Sequence, residues 1–195
     1  MELTNLHESR GAKMVDVGGK APTERSARAM GRIAMGAETL AMVCAGEMDK
    51  GDVLAVAQVA GILAAKKTSE IIPLCHPLQL AGVEVNFRFE ESEPAVVIEV
   101  EVRCFGVTGV EMEALAAVSA AALTIYDMCK GQDSEMEIGG IVLVEKTGGK
   151  DGAYERGDGQ DVHSGGYHCE RQGRERPKDR RKRFTGGKLS GRRGL

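Results

Sequence analysis

Residues 83–103, VEVNFRFEESEPAVVIEVEVR, decide the fold. Apolar and polar side chains alternate over residues 83–90, and they alternate again over residues 96–103 after the polar turn 91–94. Because successive side chains of a strand point to opposite faces, each run is typical of a strand with one buried face. Two such strands with a short connection predict an antiparallel hairpin.

Helices are predicted on both sides of this hairpin. Asp52 follows Gly51 and can cap a helix over residues 53–67 by accepting hydrogen bonds from the free amides of its first turn. The predicted buried positions of this helix are Val53, Val56, Ala60, Leu63 and Ala64. A second helix is predicted over residues 111–130, with Gly131 as a left-handed cap. Its predicted buried positions are Leu115, Val118, Ala122, Ile125 and Cys129.

The order of these elements predicts the fold class. A strand over residues 28–35 and a short helix over residues 38–44 come first, and a strand over residues 138–144 comes last. The βαββαβ order predicts an α+β, ferredoxin-like sandwich: an antiparallel sheet with helices on one face. Since the apolar Val97 would point to the other face, we expect that face to need a cover or a partner.

Charge divides the chain into an acidic body and a basic tail. Residues 1–150 have a net charge of −8, whereas residues 151–195 have +5. The tail holds 10 Gly and 8 apolar residues, too few apolar groups to offset the entropy of ordering. We therefore predict a flexible N-terminal arm over residues 1–27, one folded domain over residues 28–150, and a Gly-rich, basic, disordered tail over residues 151–195.

Several classes of protein are disfavoured. No stretch approaches the roughly 18 uninterrupted apolar residues of a membrane span. Residues 1–16 lack the apolar segment of a secretory signal, and the five cysteines are widely spaced, which favours reduced thiols. We therefore expect a cytoplasmic protein without a membrane partner.

The basic tail leaves a second functional class open, a nucleic-acid-binding protein. Residues 174–183 carry seven arginines and lysines, which could bind nucleic acid without sequence preference, or could simply be solvated. A ferredoxin-like module binding RNA or DNA is thus the alternative to an enzyme. The acidic body, the absence of Trp and the 4% aromatic content disfavour nucleic acid as a partner.

One loop is a candidate for proton chemistry. Pro73 and Pro77 bracket Cys75 and His76, and two prolines four residues apart exclude both a helix and a central strand. A rigid loop could aim the imidazole at a substrate, or it could pack with an incidental histidine. A metal role is disfavoured, because adjacent side chains rarely reach one ion and no CxxC pair exists.

The scarce lysines of the body are candidates for binding phosphate. Lys66 and Lys67 end a predicted helix, where they could equally stabilise the helix dipole by about 0.3–1 kcal/mol each. Lys146 and Lys150 flank Gly148 and Gly149 after a strand, where the dipole explanation is weaker.

Spacing on the last helix constrains any site. Glu113 and Asp127 lie 14 residues apart, so they project within about 40° of each other but about 21 Å apart along the axis. A small substrate cannot touch both in one chain, so either the substrate is long or a second subunit completes the pocket. Asp127 and Lys130 are three residues apart and can touch, as an ordinary surface pair also would.

These segments, taken together, resemble a known family: the cyclic pyranopterin monophosphate synthases of molybdenum cofactor biosynthesis. The resemblance covers residues 14–150. The matching motifs are MVDV at 14–17, ETLAM at 38–42, KGDV at 50–53, IPLCHPL at 72–78, TGVEMEAL at 108–115, ALTIYDMCK at 122–130 and KTGGK at 146–150.

The resemblance implies an enzyme with a GTP-derived substrate. That substrate, 3′,8-cyclo-7,8-dihydroguanosine 5′-triphosphate, is rearranged to cyclic pyranopterin monophosphate with release of pyrophosphate, a phosphorus–oxygen lyase reaction that closes a ring. No redox cofactor and no resident metal are implied, although Mg²⁺ could accompany the triphosphate. The family also implies a homohexamer, a trimer of dimers, with the site between subunits.

The resemblance also implies roles for individual residues. Asp127 matches the acid/base residue, with Lys50 and Lys130 as its basic catalytic partners. The implied substrate-binding residues are Leu74, Cys75, His76, Met112, Glu113, Lys66 and Lys146. Residues after about 152 have no counterpart in the family pattern, so their role stays open.

Overall fold

The predicted hairpin forms at one edge of a five-stranded antiparallel sheet, with β2 as the edge strand. The computed structural model describes residues 11–149 and 152–157. Its elements are β1 Thr23–Ala34, α1 Ala37–Ala45, α2 Val53–Lys66, α3 Thr68–Ile71, β2 Leu80–Glu90, β3 Ala95–Gly106, α4 Glu111–Cys129, β4 Glu137–Thr147 and β5 Tyr154–Glu155. The strand order is β2-β3-β1-β4-β5, and the predicted α+β, ferredoxin-like arrangement is confirmed.

The core lies between one face of the sheet and the two long helices. Ala29 of β1 pairs with Val100 of β3, which pairs in turn with Val85 of β2, and all three are buried. Val118 and Ile125 of α4 are fully buried above this face, as predicted. Helix α4 packs on β1, β3 and β4 and also on α2. This helix is therefore the central support of the domain.

Helix α2 begins where the sequence predicted but buries different residues. The Asp52 carboxylate accepts the amide of Ala55, at 3.1 Å, as predicted for the cap. The buried positions are Val53, Ala57, Gly61 and Ala65, so the predicted stripe is largely wrong.

Small side chains explain this rotation of α2. A Cβ added at Gly61 would lie 3.1 Å from the carbonyl oxygen of Ala117 in α4, so the two helices approach closely through their smallest residues. The larger residues Val56, Val59 and Leu63 consequently face outward, between 46% and 56% exposed. They form an exposed apolar stripe on α2.

The open face of the sheet is polar rather than apolar. Ion pairs cross it, three between neighbouring strands and one, Arg32–Glu90, from β1 to β2 across β3. They are Arg28–Glu145 at 3.2 Å, Arg32–Glu90 at 3.0 Å, Arg88–Glu99 at 3.2 Å and Arg103–Glu84 at 2.9 Å. Val97 lies between Arg32 and Arg88 in the register and is only 2% exposed within the single chain. Val97 is thus already shielded within one chain, and the expectation of a cover or a partner for this face stays a prediction.

Two predicted domain boundaries are displaced. Strand β1 begins at Thr23, which pairs with Gly106, so residues 23–27 are strand rather than arm. Strand β5 lies in the predicted disordered tail, where Tyr154 pairs with Lys146. Backbone pairing to an existing strand thus orders short polar segments that have little apolar content. Residues 1–10, 150–151 and 158–195, including the basic run and Lys150, lie outside the described residues.

The glycine caps differ from each other. Gly46 ends α1 with a φ of 70°, as expected of a left-handed cap. Gly131, predicted to do the same after α4, has no positive φ, and Lys130 ends the helix in the right-handed region. The turn after α4 is therefore held by other contacts.

Helix α4 is long and apolar enough to cross a membrane by length and composition, and half of its apolar window is buried inside the domain. That burial is what a core helix requires. Among the cysteines in the described ranges, Cys75, Cys104 and Cys129 are free thiols. Cys44 is disulfide-bonded, which departs from the expectation of reduced thiols.

Gly31 gives a test of the packing between β1 and α4. A Cβ at Gly31 would lie 2.5 Å from Cγ1 of the fully buried Val118 and 3.2 Å from Cγ1 of Ile141. Since β-branched side chains have few rotamers, we expect Gly31→Ala to lower the free energy of unfolding by about 1–3 kcal/mol. Chemical denaturation at fixed protein concentration measures this change.

Gly139→Ala is the matched control, because Gly139 lies in β4 of the same sheet with nothing near its added Cβ. Adding Val118→Ala to Gly31→Ala should recover part of the loss. Equal stability of the two glycine variants would contradict the close packing.

Candidate functional site

A carboxylate held between two lysines lies at the C-terminal end of α4. Lys50, in the loop between α1 and α2, donates to the Asp127 carbonyl oxygen at 2.6 Å and to its Oδ2 at 3.0 Å. Lys130 Nζ lies 2.7 Å from Asp127 Oδ1. All three side chains are about half exposed, so a ligand can reach them. We call these three residues the Asp127 centre.

The two lysines fix the charge state of this carboxylate. The hydrogen bond from Lys130, followed by that from Lys50, holds the pKa of Asp127 below its ordinary value. The same bond raises the pKa of Lys130. The centre therefore holds one carboxylate and two ammonium groups at neutral pH, with a net positive charge suited to an anionic ligand.

A second polar group lies at the opposite end of α4. Lys146 of β4 donates to Glu111 Oε1 at 2.8 Å. Burial alone would raise the pKa of Glu111, but the bond from Lys146 and the charge of Arg25 outweigh it, and the pKa is lowered. Arg25 of β1 is held by the carbonyl oxygens of Gly106 and Val107, at 3.0 and 3.4 Å.

These residues surround a polar cavity of about 130 Å³. Three cations and one carboxylate line it, with backbone from the start of α4 and the end of β4. The lining residues are Lys20, Arg25, Ser26, Val107, Thr108, Gly109, Glu111, Lys146, Thr147 and Gly148. The cavity is thus suited to an anionic group.

Glu113 is a buried carboxylic acid in the first turn of α4. Its side chain is buried, and burial raises its pKa, with the charge of Glu111 acting in the same direction. Burial, together with the charge of Glu113, also raises the pKa of Cys75, which places the proline-bracketed loop near Glu113. His76 in this loop is partly buried, while Leu74 and Met112 are 48% and 38% exposed. We call Glu111, Glu113, Lys146, Arg25 and the loop 74–76 the Glu113 group.

Lys66 lies toward the Glu113 group rather than the Asp127 centre. Helix α2 starts beside Lys50 and runs antiparallel to α4, with Gly61 opposite Ala117. Lys66, in the last turn of α2, is exposed at the far end.

The single chain therefore gathers the predicted residues into two separate sets. One set is the Asp127 centre, and the other contains Leu74, Cys75, His76, Met112, Glu113, Lys66 and Lys146. Glu113 and Asp127 are 14 positions apart in the continuous helix α4, so these two residues lie about 21 Å apart along its axis.

Sequence reasoning missed Arg25 as a residue of this site. Arg25 shares the helix-facing side of β1 with the buried Ala27 and Ala29. A charged residue on the buried face of a strand is a signal of function, but β1 was predicted to start only at residue 28. Within the described ranges, no three His, Cys, Asp or Glu side chains lie close enough to hold a metal ion.

The chain is similar in sequence to the proteins of one known family. The model of the MoaC family matches residues 14–149, a range that contains every residue of both sets. The chain belongs to the MoaC family. Three of its relatives carry the name cyclic pyranopterin monophosphate synthase and come from Pelotomaculum thermopropionicum, Heliobacterium modesticaldum and Desulfitobacterium hafniense.

These relatives match over most of their length. The identities are 56%, 57% and 58%, over 79%, 79% and 81% of this chain and 91%, 97% and 96% of the respective relatives. The resemblance inferred from the motifs is thereby confirmed.

Replacing Lys130 tests the charge balance of the Asp127 centre. In Lys130→Met the first of the two lysine bonds is lost, so we expect the pKa of Asp127 to rise toward its ordinary value. Carboxyl ¹³C NMR titration measures this pKa. Lys66→Met, at the other end of α2, should leave it unchanged. An unchanged Asp127 pKa in Lys130→Met would show that the bond does not hold in solution.

Proposed function

We propose that this MoaC-family chain is a cyclic pyranopterin monophosphate synthase acting in molybdenum cofactor biosynthesis. It converts 3′,8-cyclo-7,8-dihydroguanosine 5′-triphosphate to cyclic pyranopterin monophosphate and releases pyrophosphate. The name shared by relatives at 56–58% identity supports this activity. The structural observation that carries it is the Asp127 carboxylate held between two ammonium groups.

The reaction needs a group that moves protons. A hydroxyl oxygen of the substrate forms a bond to the α-phosphorus, and the bond from that phosphorus to the pyrophosphate oxygen breaks. The hydroxyl loses its proton in this step. Asp127 is ionised and is proposed to accept this proton as the substrate phosphates draw Lys130 and Lys50 away from it, because the two lysine bonds that lower its pKa also make it a weaker base.

The reaction also creates a highly charged leaving group. Residues 1–150 carry a net charge of −8, so a triphosphate meets overall repulsion and needs local cations. Lys50 and Lys130 supply them at one end of α4, and Lys146, Arg25 and Lys66 supply them at the other. Fixed cations near the phosphates stabilise the charge that develops on pyrophosphate.

The Glu113 group suits the remainder of the substrate. Glu113 is buried and Cys75 and His76 are partly buried, and their side chains carry hydrogen-bonding groups suited to a guanine-derived ring, while Leu74 adds apolar surface. Met112 adds exposed apolar surface beside them. These residues are therefore proposed to bind the substrate, and the three of the Asp127 centre to act on it.

The two sets must come from different copies of the chain to act on one small substrate. Their separation of about 21 Å along α4 supports a homo-oligomer with the site between subunits. Val56, Val59, Leu63 and Leu123 supply exposed apolar surface on the helical layer that a neighbouring copy could cover. The number six, a trimer of dimers, follows from the family resemblance.

The same proposal includes neither a resident redox cofactor nor a resident metal, because bonds are rearranged without transfer of electrons to another molecule. Mg²⁺ would enter, if at all, with the triphosphate. The enzyme is proposed to act in the cytoplasm, where nucleotides are available.

Direct assay tests the activity. The purified chain, dialysed against EDTA, is incubated with the cyclic dihydroguanosine triphosphate with and without Mg²⁺, and mass spectrometry follows the pterin and pyrophosphate. We expect turnover without any added redox cofactor. In Asp127→Asn and Lys50→Ala we expect at least about a 100-fold loss of turnover.

Glu47→Gln, in the same loop as Lys50, is the matched control and should retain activity. Circular dichroism checks the fold of Lys50→Ala, which also loses the bond to the Asp127 carbonyl. No product from the wild type would contradict the function, and full activity of Asp127→Asn would contradict the role of Asp127.

Mixing two inactive variants tests whether the site is shared between subunits. Asp127→Asn and Glu113→Gln are unfolded together, refolded and assayed. If each site takes Asp127 from one copy and Glu113 from another, random assembly should restore about a quarter of the wild-type activity. Each variant refolded alone should stay inactive. No recovery in a mixture that has exchanged subunits would place the complete site within one chain.

A further inference from the structure

The turn that follows α4 is tied to the rest of the domain by one carboxylate. Asp133 Oδ2 accepts the amide of Gly36 at 2.7 Å, and Asp133 Oδ1 accepts the amide of Glu135 at 3.0 Å. Gly36 joins β1 to α1, and Glu135 precedes β4. A single side chain therefore links this turn to two other parts of the backbone.

Helix α4 has no left-handed glycine to fix its end. Lys130 is right-handed, and the amides of Gln132 and Asp133 both donate to the carbonyl of Cys129, at 2.9 and 3.1 Å. The position of Lys130 consequently depends on the tight turn that contains it, and Asp133 anchors the far end of that turn.

A second contact links the same turn to Lys50. Gln132 Nε2 donates to Oδ2 of Asp49, the residue before Lys50, at 3.3 Å. Lys130 is therefore part of this turn, and Lys50 directly follows a residue that the turn binds. The bond of Asp133 to Gly36 joins the turn to the segment between β1 and α1 through a short, charge-assisted contact, and a further hydrogen bond links the same carboxylate to Thr39 of α1.

We propose that Asp133 is a positioning residue for the proposed reaction: by anchoring the turn 130–133, it places Lys130 against Asp127. Asp133 touches neither Asp127 nor the substrate in this assignment and acts through the turn. The inference rests on the proposed function for its kinetic consequences only.

The charge of Asp133 supports this role. The bond from Gly36, opposed by burial and aided by the Glu135 amide and Thr39, lowers the pKa of Asp133. The carboxylate thus stays ionised, with both oxygens acting as acceptors. In Asp133→Asn one acceptor becomes an NH₂ group, which cannot accept from an amide. One of the two anchors is then lost at nearly constant side-chain volume.

The test compares Asp133→Asn with Glu135→Gln, which removes a charge from an exposed residue two positions away. We expect kcat of Asp133→Asn to fall about ten-fold with KM within about two-fold, because loose positioning of a group acting on the transition state affects kcat most. Glu135→Gln should keep both constants.

A measurement without substrate separates this inference from the proposed function. In carboxyl NMR titration, Asp133→Asn should raise the pKa of Asp127 in the same direction as Lys130→Met, whereas Glu135→Gln should not. An Asp127 pKa in Asp133→Asn equal to that of the wild type would overturn the positioning role, even if activity fell. If the wild type proves inactive but Asp133→Asn still raises the pKa of Asp127, the positioning role is supported and only the proposed function is contradicted.

Discussion

The close packing of α4 against β1 and α2 is the constraint on which the domain depends. Gly31 on the sheet and Gly61 on α2 leave no room for a side chain opposite Val118 and Ala117. The helix is thereby held between β1 and α2, and this packing fixes the position of its two ends. Glu113 and Asp127, the carboxylic acids near those ends, therefore lie at a fixed distance from each other along the helix.

Charge on this domain is arranged locally rather than overall. A body with a net charge of −8 has small sets of cations where we propose that an anion binds, and each set includes a carboxylate. At the Asp127 centre the carboxylate keeps the two ammonium groups together before a ligand arrives. In the Glu113 group the Glu111 carboxylate likewise holds the ammonium group of Lys146 in place. Such pairs are preformed and avoid the cost of gathering like charges during binding.

The sequence predicted the fold class, the hairpin and the capping of α2, because alternation and an Asp before an apolar run have direct backbone consequences. It did not predict which face of α2 is buried. The pattern counts large apolar residues as core, whereas the helix contact selects Ala57, Gly61 and Ala65 for their small size. Strand β5 and the start of β1 were missed since their order comes from pairing with partners distant in sequence. Spacing on α4 predicted the separation of Glu113 from Asp127. Arg25 was missed because β1 was predicted to begin at residue 28 rather than at Thr23.

The uncovered side of the sheet restricts how copies of this chain can meet. Arg28, Arg32, Arg88 and Arg103 are each engaged with a carboxylate on a neighbouring strand or turn. Stacking one sheet on another would strip water from all of these charges, at a cost of several kcal/mol per ion. The outward residues of α2 bear no such penalty. A contact between copies would therefore cost less free energy through the helices than through the charged face of the sheet, which opposes layered aggregation.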